Sequence, residues 1–123
     1  MIGNLLSFNK GIIHKFIILS FIFFASTSSA LAQCPTANAG GDETMCSDIA
    51  SIAIDATATN YTSILWITSG NGSFDDNSIE DPVYSPSPND ISSGSVILTI
   101  IAYTNVPGCF TARNSMTLRF QNA

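Results

Sequence analysis

Residues 95–104 read S-V-I-L-T-I-I-A-Y-T, a β-branched run bounded by the turn signals Ser92-Ser93-Gly94 and Asn105-Val106-Pro107-Gly108. On a pleat, Val96, Leu98, Ile100 and Ala102 point one way, and Ile97, Thr99, Ile101 and Tyr103 the other. Both sets are largely apolar, which predicts a central strand. Shorter alternating runs surround it. Gly40-Gly41 splits residues 36–47 into two extended pieces, a first strand that kinks. Residues 49–59 set Ile52, Ile54 and Ala56 against Ser51, Ala53, Asp55 and Thr57, the pattern of a half-buried strand. Residues 63–68 form a third strand, with Ile64, Trp66 and Thr68 facing in and Leu65 and Ile67 facing out. A tight turn at 69–73 and an acidic loop at 75–81 come next. Pro82-Val83-Tyr84 reads as a short strand that its proline assigns to a sheet edge, and residues 86–90 as a polar connection. In the last strand, 109–121, Met116, Leu118 and Phe120 face in while Thr117, Arg119 and Gln121 face out.

No helical period is visible after the first 32 residues. Short alternating strands with Gly, Pro and Asn turns predict one all-β sandwich without a linker or internal repeat. The first 32 residues have another character. Lys10, His14 and Lys15 precede an apolar run at 16–25, and Ala30 and Ala32 stand where the −3 and −1 residues of a cleavage site belong. This predicts a secretory signal peptide over 1–32, cut before Gln33. The apolar run is far shorter than the roughly 20 residues that cross a bilayer, so no membrane insertion is expected after cleavage. The expected mature chain, 33–123, is long enough for one small domain.

Charge then narrows the partners. The mature chain has two basic residues, Arg113 and Arg119, against nine acidic ones, a formal charge of −7. It offers no basic footprint for nucleic acid and no polybasic patch for a membrane. Residues 33–123 also contain neither histidine nor lysine, so Ser-His, Cys-His and Ser-Lys nucleophile pairs and a Schiff base cannot be built from them. Catalysis is not expected. Three cysteines, Cys34, Cys46 and Cys109, suit a disulfide in an exported chain better than a metal site. Cys46 and Cys109 each border a predicted strand far apart in sequence, and are paired here, leaving Cys34 over.

The segments A-N-A-G-G-D-E-T-M-C, L-W-I-T-S-G-N-G-S-F, P-V-Y-S-P-S-P-N-D-I-S-S-G-S-V-I-L-T-I and G-C-F-T-A-R-N-S-M-T-L together cover essentially all of the mature chain. In order and spacing they resemble one PKD-like (polycystic-kidney-disease-like), immunoglobulin-like repeat of the surface and adhesin proteins of gliding Bacteroidota. On that resemblance Cys46 and Cys109 match the family's cysteine pair, Trp66 its core tryptophan, Gly70 and Gly72 its turn, and Tyr84 and Asp90 its Y-x-P-x-x-x-D segment. It implies an immunoglobulin-like β-sandwich of about seven strands used as a spacer or adhesive module at the cell surface, without enzymatic activity or a resident cofactor. The chain departs from the family where W-I-T-S-G-N-G replaces W-D-F-G-D-G, so no role of those acidic residues carries over.

Two sets of residues are candidates for chemistry. Asp75, Asp76, Glu80 and Asp81 concentrate hard oxygen donors on one loop, the preference of calcium, although without EF-hand spacing. A solvated acidic loop that aids solubility explains the same residues. The second set is Leu65, Ile67, Ile97, Ile101 and Tyr103, which form an outward apolar patch if the third and central strands are neighbours. Such a patch marks a partner surface, here another β-domain or a cell-surface protein or glycan. A covering loop, or a register shifted by one residue, would remove it. The expected function is an exported adhesive or spacer domain; a calcium-binding extracellular domain or a carbohydrate-binding module is the alternative.

Overall fold

Gly40 takes the first strand from one layer of the molecule to the other. Its φ of 87° lies in the left-handed region, and a Cβ there would sit 2.6 Å from the Asp55 carbonyl oxygen. The neighbouring Ala39 is buried, and its N–H donates to Asn114 Oδ1 at 2.7 Å, which fixes the crossing. In this computed structural model, residues 32–122 are described, and the predicted leader lies outside them apart from Ala32. The strands are β1 (Thr36–Asn38), β2 (Glu43–Cys46), β3 (Ile52–Ala53), β4 (Thr57–Thr59), β5 (Ser63–Thr68), β6 (Ser73–Phe74), β7 (Val83–Ser85), β8 (Ser95–Tyr103) and β9 (Ala112–Gln121). A short helix, α1 (Pro88–Ser93), joins β7 to β8.

One layer is the sheet β2-β9-β8-β5, in which β2 runs parallel to β9 and the other pairs are antiparallel. The other layer is β1-β4 together with β3-β7-β6. The segments β1 and β2 are halves of one kinked strand, and β3 and β4 halves of another, so the nine segments make seven strands. Lettered A to G along the chain, the layers read A-B-E-D and A′-G-F-C, the order of an immunoglobulin-like sandwich. The fold is that all-β sandwich, as predicted.

Between the layers lies the core. Val96, Leu98, Ile100 and Ala102 of β8 meet Ile64 and Trp66 of β5, Met116 and Leu118 of β9, and Ile54, Ala56, Ala58 and Tyr84 from the facing layer. Trp66 is the largest fully buried side chain, and its indole N–H donates to the Ile79 carbonyl at 3.0 Å, the partner a buried tryptophan requires. Phe74 packs between Trp66 and Tyr84, with ring centroids 5.7 and 4.9 Å away.

Three expectations are corrected. The predicted Cys46–Cys109 bridge does not form; the disulfide joins Cys34 to Cys109 across a Cα–Cα distance of 5.2 Å, and Cys46 is free. The reason is topological. Parallel pairing sets Cys46 beside Gln121 at the far end of β9, whereas Cys109 precedes its beginning. At about 3.3 Å per residue the two cysteines are roughly 30 Å apart, and no bridge spans Cα atoms separated by more than about 7 Å. Secondly, β7 is central in its sheet instead of lying at an edge, because Pro82 and Pro86 flank the strand and remove no ladder donor from it. Thirdly, the polar connection holds a capped helix. Ser87 and Asp90 form a capping box, Pro88 opens the helix, and Gly94 closes it.

Candidate functional site

The outer face of the four-stranded sheet is built by β5, β8 and β9. Register places Leu65 opposite Ile101, Ile67 opposite Thr99, and Ser63 opposite Tyr103. On the other flank Ile97 faces Thr117, Thr99 faces Ser115, and Ile101 faces Arg113. All five residues of the expected patch therefore share one face. Ile67, Ile97 and Tyr103 are 42%, 49% and 37% exposed, and Leu65 is half-buried. Ile101 differs from expectation. It is only 3% exposed, although it stands outside the core cluster on the solvent side of the sheet. It lies mid-strand between the cross-strand neighbours Leu65 and Arg113, close enough for side chains to cover one another. The hydroxyls of Thr99 and Ser115 bond to each other at 2.7 Å, so the polar atoms at the centre of the face are already partnered.

Arg113 is exposed beside this stripe, and among the described residues it has no ion-pair partner. Arg119, further along the same face, is 3.7 Å from Asp42, both side chains being more than half exposed. Both cations of the described chain thus flank the apolar stripe.

The acidic loop does not gather into a calcium site. Among the described residues no three His, Cys, Asp or Glu side chains are placed to hold one ion. Each carboxylate instead accepts from a different stretch of backbone. Asp75 Oδ1 takes the N–H of Val83 and of Asp76, both at 2.8 Å. Asp76 accepts from the Ser78 hydroxyl and N–H, which hold its carboxyl below the usual carboxylate range. Glu80 Oε1 and Asp81 Oδ1 reach across to the N–H groups of Ala58 and Ala56, at 3.1 and 3.0 Å. The loop backbone meanwhile accepts the Trp66 N–H through the Asn77 carbonyl at 2.8 Å. The loop is a strap between the edge of β5 and the edge of β4, and its carboxylates do what a neighbouring strand would otherwise do.

Asp90 is the buried counterpart of that device. Its carboxylate accepts from the Tyr84 hydroxyl at 2.6 Å and from the N–H groups of Asn71, Gly72 and Ser87 at 2.8, 3.0 and 3.2 Å. A Cβ at Gly70 or Gly72 would fall 2.1 or 2.7 Å from its oxygens, so glycine there permits the backbone to wrap the carboxylate. Burial pushes the Asp90 carboxyl up, but the four donors, Tyr84 first, outweigh it and hold it below the usual value of 3.8. Burial, aided by the Asp90 hydrogen bond, raises the Tyr84 phenol to about 12. The resemblance had singled out these residues, and their work is structural. They pin the 69–73 turn and α1 at one pole of the sandwich.

Sequence reasoning did not single out the opposite pole. There Asn60 Nδ2 donates to Gln33 Oε1, the Thr62 N–H donates to the Tyr103 carbonyl, and the disulfide ties the chain start to the loop between β8 and β9. Phe110, next to the bridge, is 87% exposed, and Tyr61 is 39% exposed. An aromatic residue directly after a bridged cysteine in a turn was the available signal.

No family model matches the chain, and no curated protein matches it. Among solved structures it is similar to a nucleoside hydrolase-related hypothetical protein from Saccharophagus degradans that is associated with carbohydrate metabolism. The identity is 15% and the TM-score 0.51, over 76% of this chain and 27% of that one. It is also similar to extracellular cadherin domains 3–6 of protocadherin gamma B2, at 16% identity and a TM-score of 0.49, over 72% of this chain and 23% of that one. The chain therefore spans about a quarter of the length of either protein. At such identity the first likeness speaks to fold alone, and it agrees with the strand order: this is an immunoglobulin-like β-sandwich.

Proposed function

We propose that the chain is an exported, non-catalytic module of the cell surface, a PKD-like repeat unit that acts as an adhesive or spacer domain and meets another β-domain through the outer face of its four-stranded sheet. The observation that carries the reading is the exposure of Ile67, Ile97 and Tyr103 together on a sheet face that in a solitary sandwich would be polar. The disulfide supports the compartment, since such bonds persist where the surroundings are oxidising. The placement of Gln33 and Gln121 at opposite poles supports an in-line spacer.

The test uses intact cells that export the protein, and beads coated with it. The chain should be removed by external protease, and the beads should adhere to the cells. Ile67→Thr with Ile97→Thr should weaken adhesion about tenfold or more, the scale of losing a central apolar contact, while the melting temperature stays within about 2 °C because neither side chain is buried. A chain shielded from protease, or adhesion indifferent to the double substitution, would end this reading. The exposed rings of Tyr61 and Phe110 favour a second reading, in which the partner is a glycan bound at the disulfide pole. Adhesion lost in Phe110→Ala and retained in the sheet-face variant would select it.

A further inference from the structure

We infer that the partner of the outer sheet face is a second copy of this chain, docked front to back: the stripe with Arg113 meets the carboxylate-bearing side of its neighbour. This rests on the reading of that face as an interaction surface, and charge placement names the occupant. Arg113 and Arg119 are the only basic residues after position 32, and both project from the outer face of β9. Arg119 already has Asp42 beside it, which among the described residues leaves Arg113 as the unpaired cation of the front. Asp55 points outward from the opposing layer, exposed between the buried Ile54 and Ala56, and Asp75, Asp76 and Asp81 are exposed on the strap beside it.

Front-to-back contact sets the unpaired Arg113 of one copy against the exposed Asp55 of the next, and such matching selects partners more than it adds affinity. Side-chain size agrees. The front carries the large Ile67, Ile97 and Tyr103, whereas the outward positions around Asp55 are the small Ala53 and Thr57. A face about 20 Å long and four strands wide offers roughly 400 Å², about half the area per partner of a stable complex. The association is therefore weak between free molecules and gains strength where copies are held close. Because the two surfaces lie on opposite faces of one sandwich, the contact does not pair two copies with each other, and copies add in a row.

Sedimentation of the exported protein over a concentration series reaching about 1 mM tests this, at low and high salt. Expected is open-ended growth in mean mass, with salt screening both the Arg113–Asp55 attraction and the repulsion between copies that each carry a formal charge of −7. Arg113→Glu should move the midpoint of association upward by about tenfold or more. Asp55→Arg should do the same, and an equimolar mixture of the two variants should recover association, since each then offers the surface the other lacks. Both side chains are exposed, and an unchanged melting temperature verifies that each variant folds. A protein that stays monomeric throughout overturns the inference. So does a closed dimer, or association that ignores both charge reversals. Loss of bead adhesion in the Ile67→Thr, Ile97→Thr variant of a strictly monomeric protein would leave the interaction surface standing with a different partner.

Discussion

Asp90 has almost no solvent to ionise into, yet it stays charged because every donor around it points at its oxygens. That sets the sign of its pH dependence. A carboxyl whose folded pKa lies below its unfolded value stabilises the fold fully above the unfolded value and loses that contribution as pH falls through the folded one. Unfolding free energy, measured by urea titration at a series of pH values, should therefore hold steady above about pH 5 and decline below about pH 4. Asp90→Asn should flatten this acid limb and lower stability at neutral pH by about 1–3 kcal/mol, because one oxygen facing donors becomes an amide nitrogen. At the other end Tyr84, raised to about 12 mainly by its burial, keeps its contribution below pH 10 and loses it as pH rises towards 12. Its phenolate absorbance should appear only as pH rises towards 12.

Among the elements, the acidic strap has the most specific consequence. Glu80 and Asp81 satisfy two N–H groups of the stretch that includes β4, so Asp81→Ala should cost about 1–2 kcal/mol. Excess calcium should leave the melting temperature where a chelator leaves it, since the carboxylates do not converge on one point. A calcium-dependent rise of several degrees would contradict that geometry. The sequence carried part of this region and not the rest. The alternation in β5 and β8 could be read directly, because one face of each is sealed against the other layer and side chains reverse at every residue. The strap could not, because six polar residues around Ile79 state their composition and say nothing of which backbone they reach. Helix α1 is too short to display a period, so its stretch read only as a polar connection, and its capping box came to light in the structure. The bridge was misassigned for a related reason. Both Cys46 and Cys109 border strands, but a strand border does not say which end of the molecule it occupies. That depends on β2 running parallel to β9, a pairing that four residues of sequence do not encode. Ile101 shows the same limit: its outward direction was legible, and the cover it receives from its neighbours was not.

For the molecule as a whole, the Cys34–Cys109 bridge determines how it bears a pull along its length. Load applied at Gln33 passes through the bridge into Cys109, then along β9 to Gln121, and bypasses every residue from 35 to 108. The path is a tether of about a dozen residues, at most about 45 Å long when taut, and the folded distance between the poles is already about 30 Å by the length of β9. While oxidised, the module is close to an inextensible link, and the enclosed part of the sandwich feels no tension even if β9 is dragged out of its sheet. Single-molecule stretching should show a length gain of about 20 Å or less per module in oxidising buffer and roughly 250–300 Å once a reductant opens the bridge. A long extension without reductant would mean that the bridge lies outside the load path. In a row of such modules, the redox state of a single bond would set whether the row behaves as a rod of fixed length or as a shock absorber.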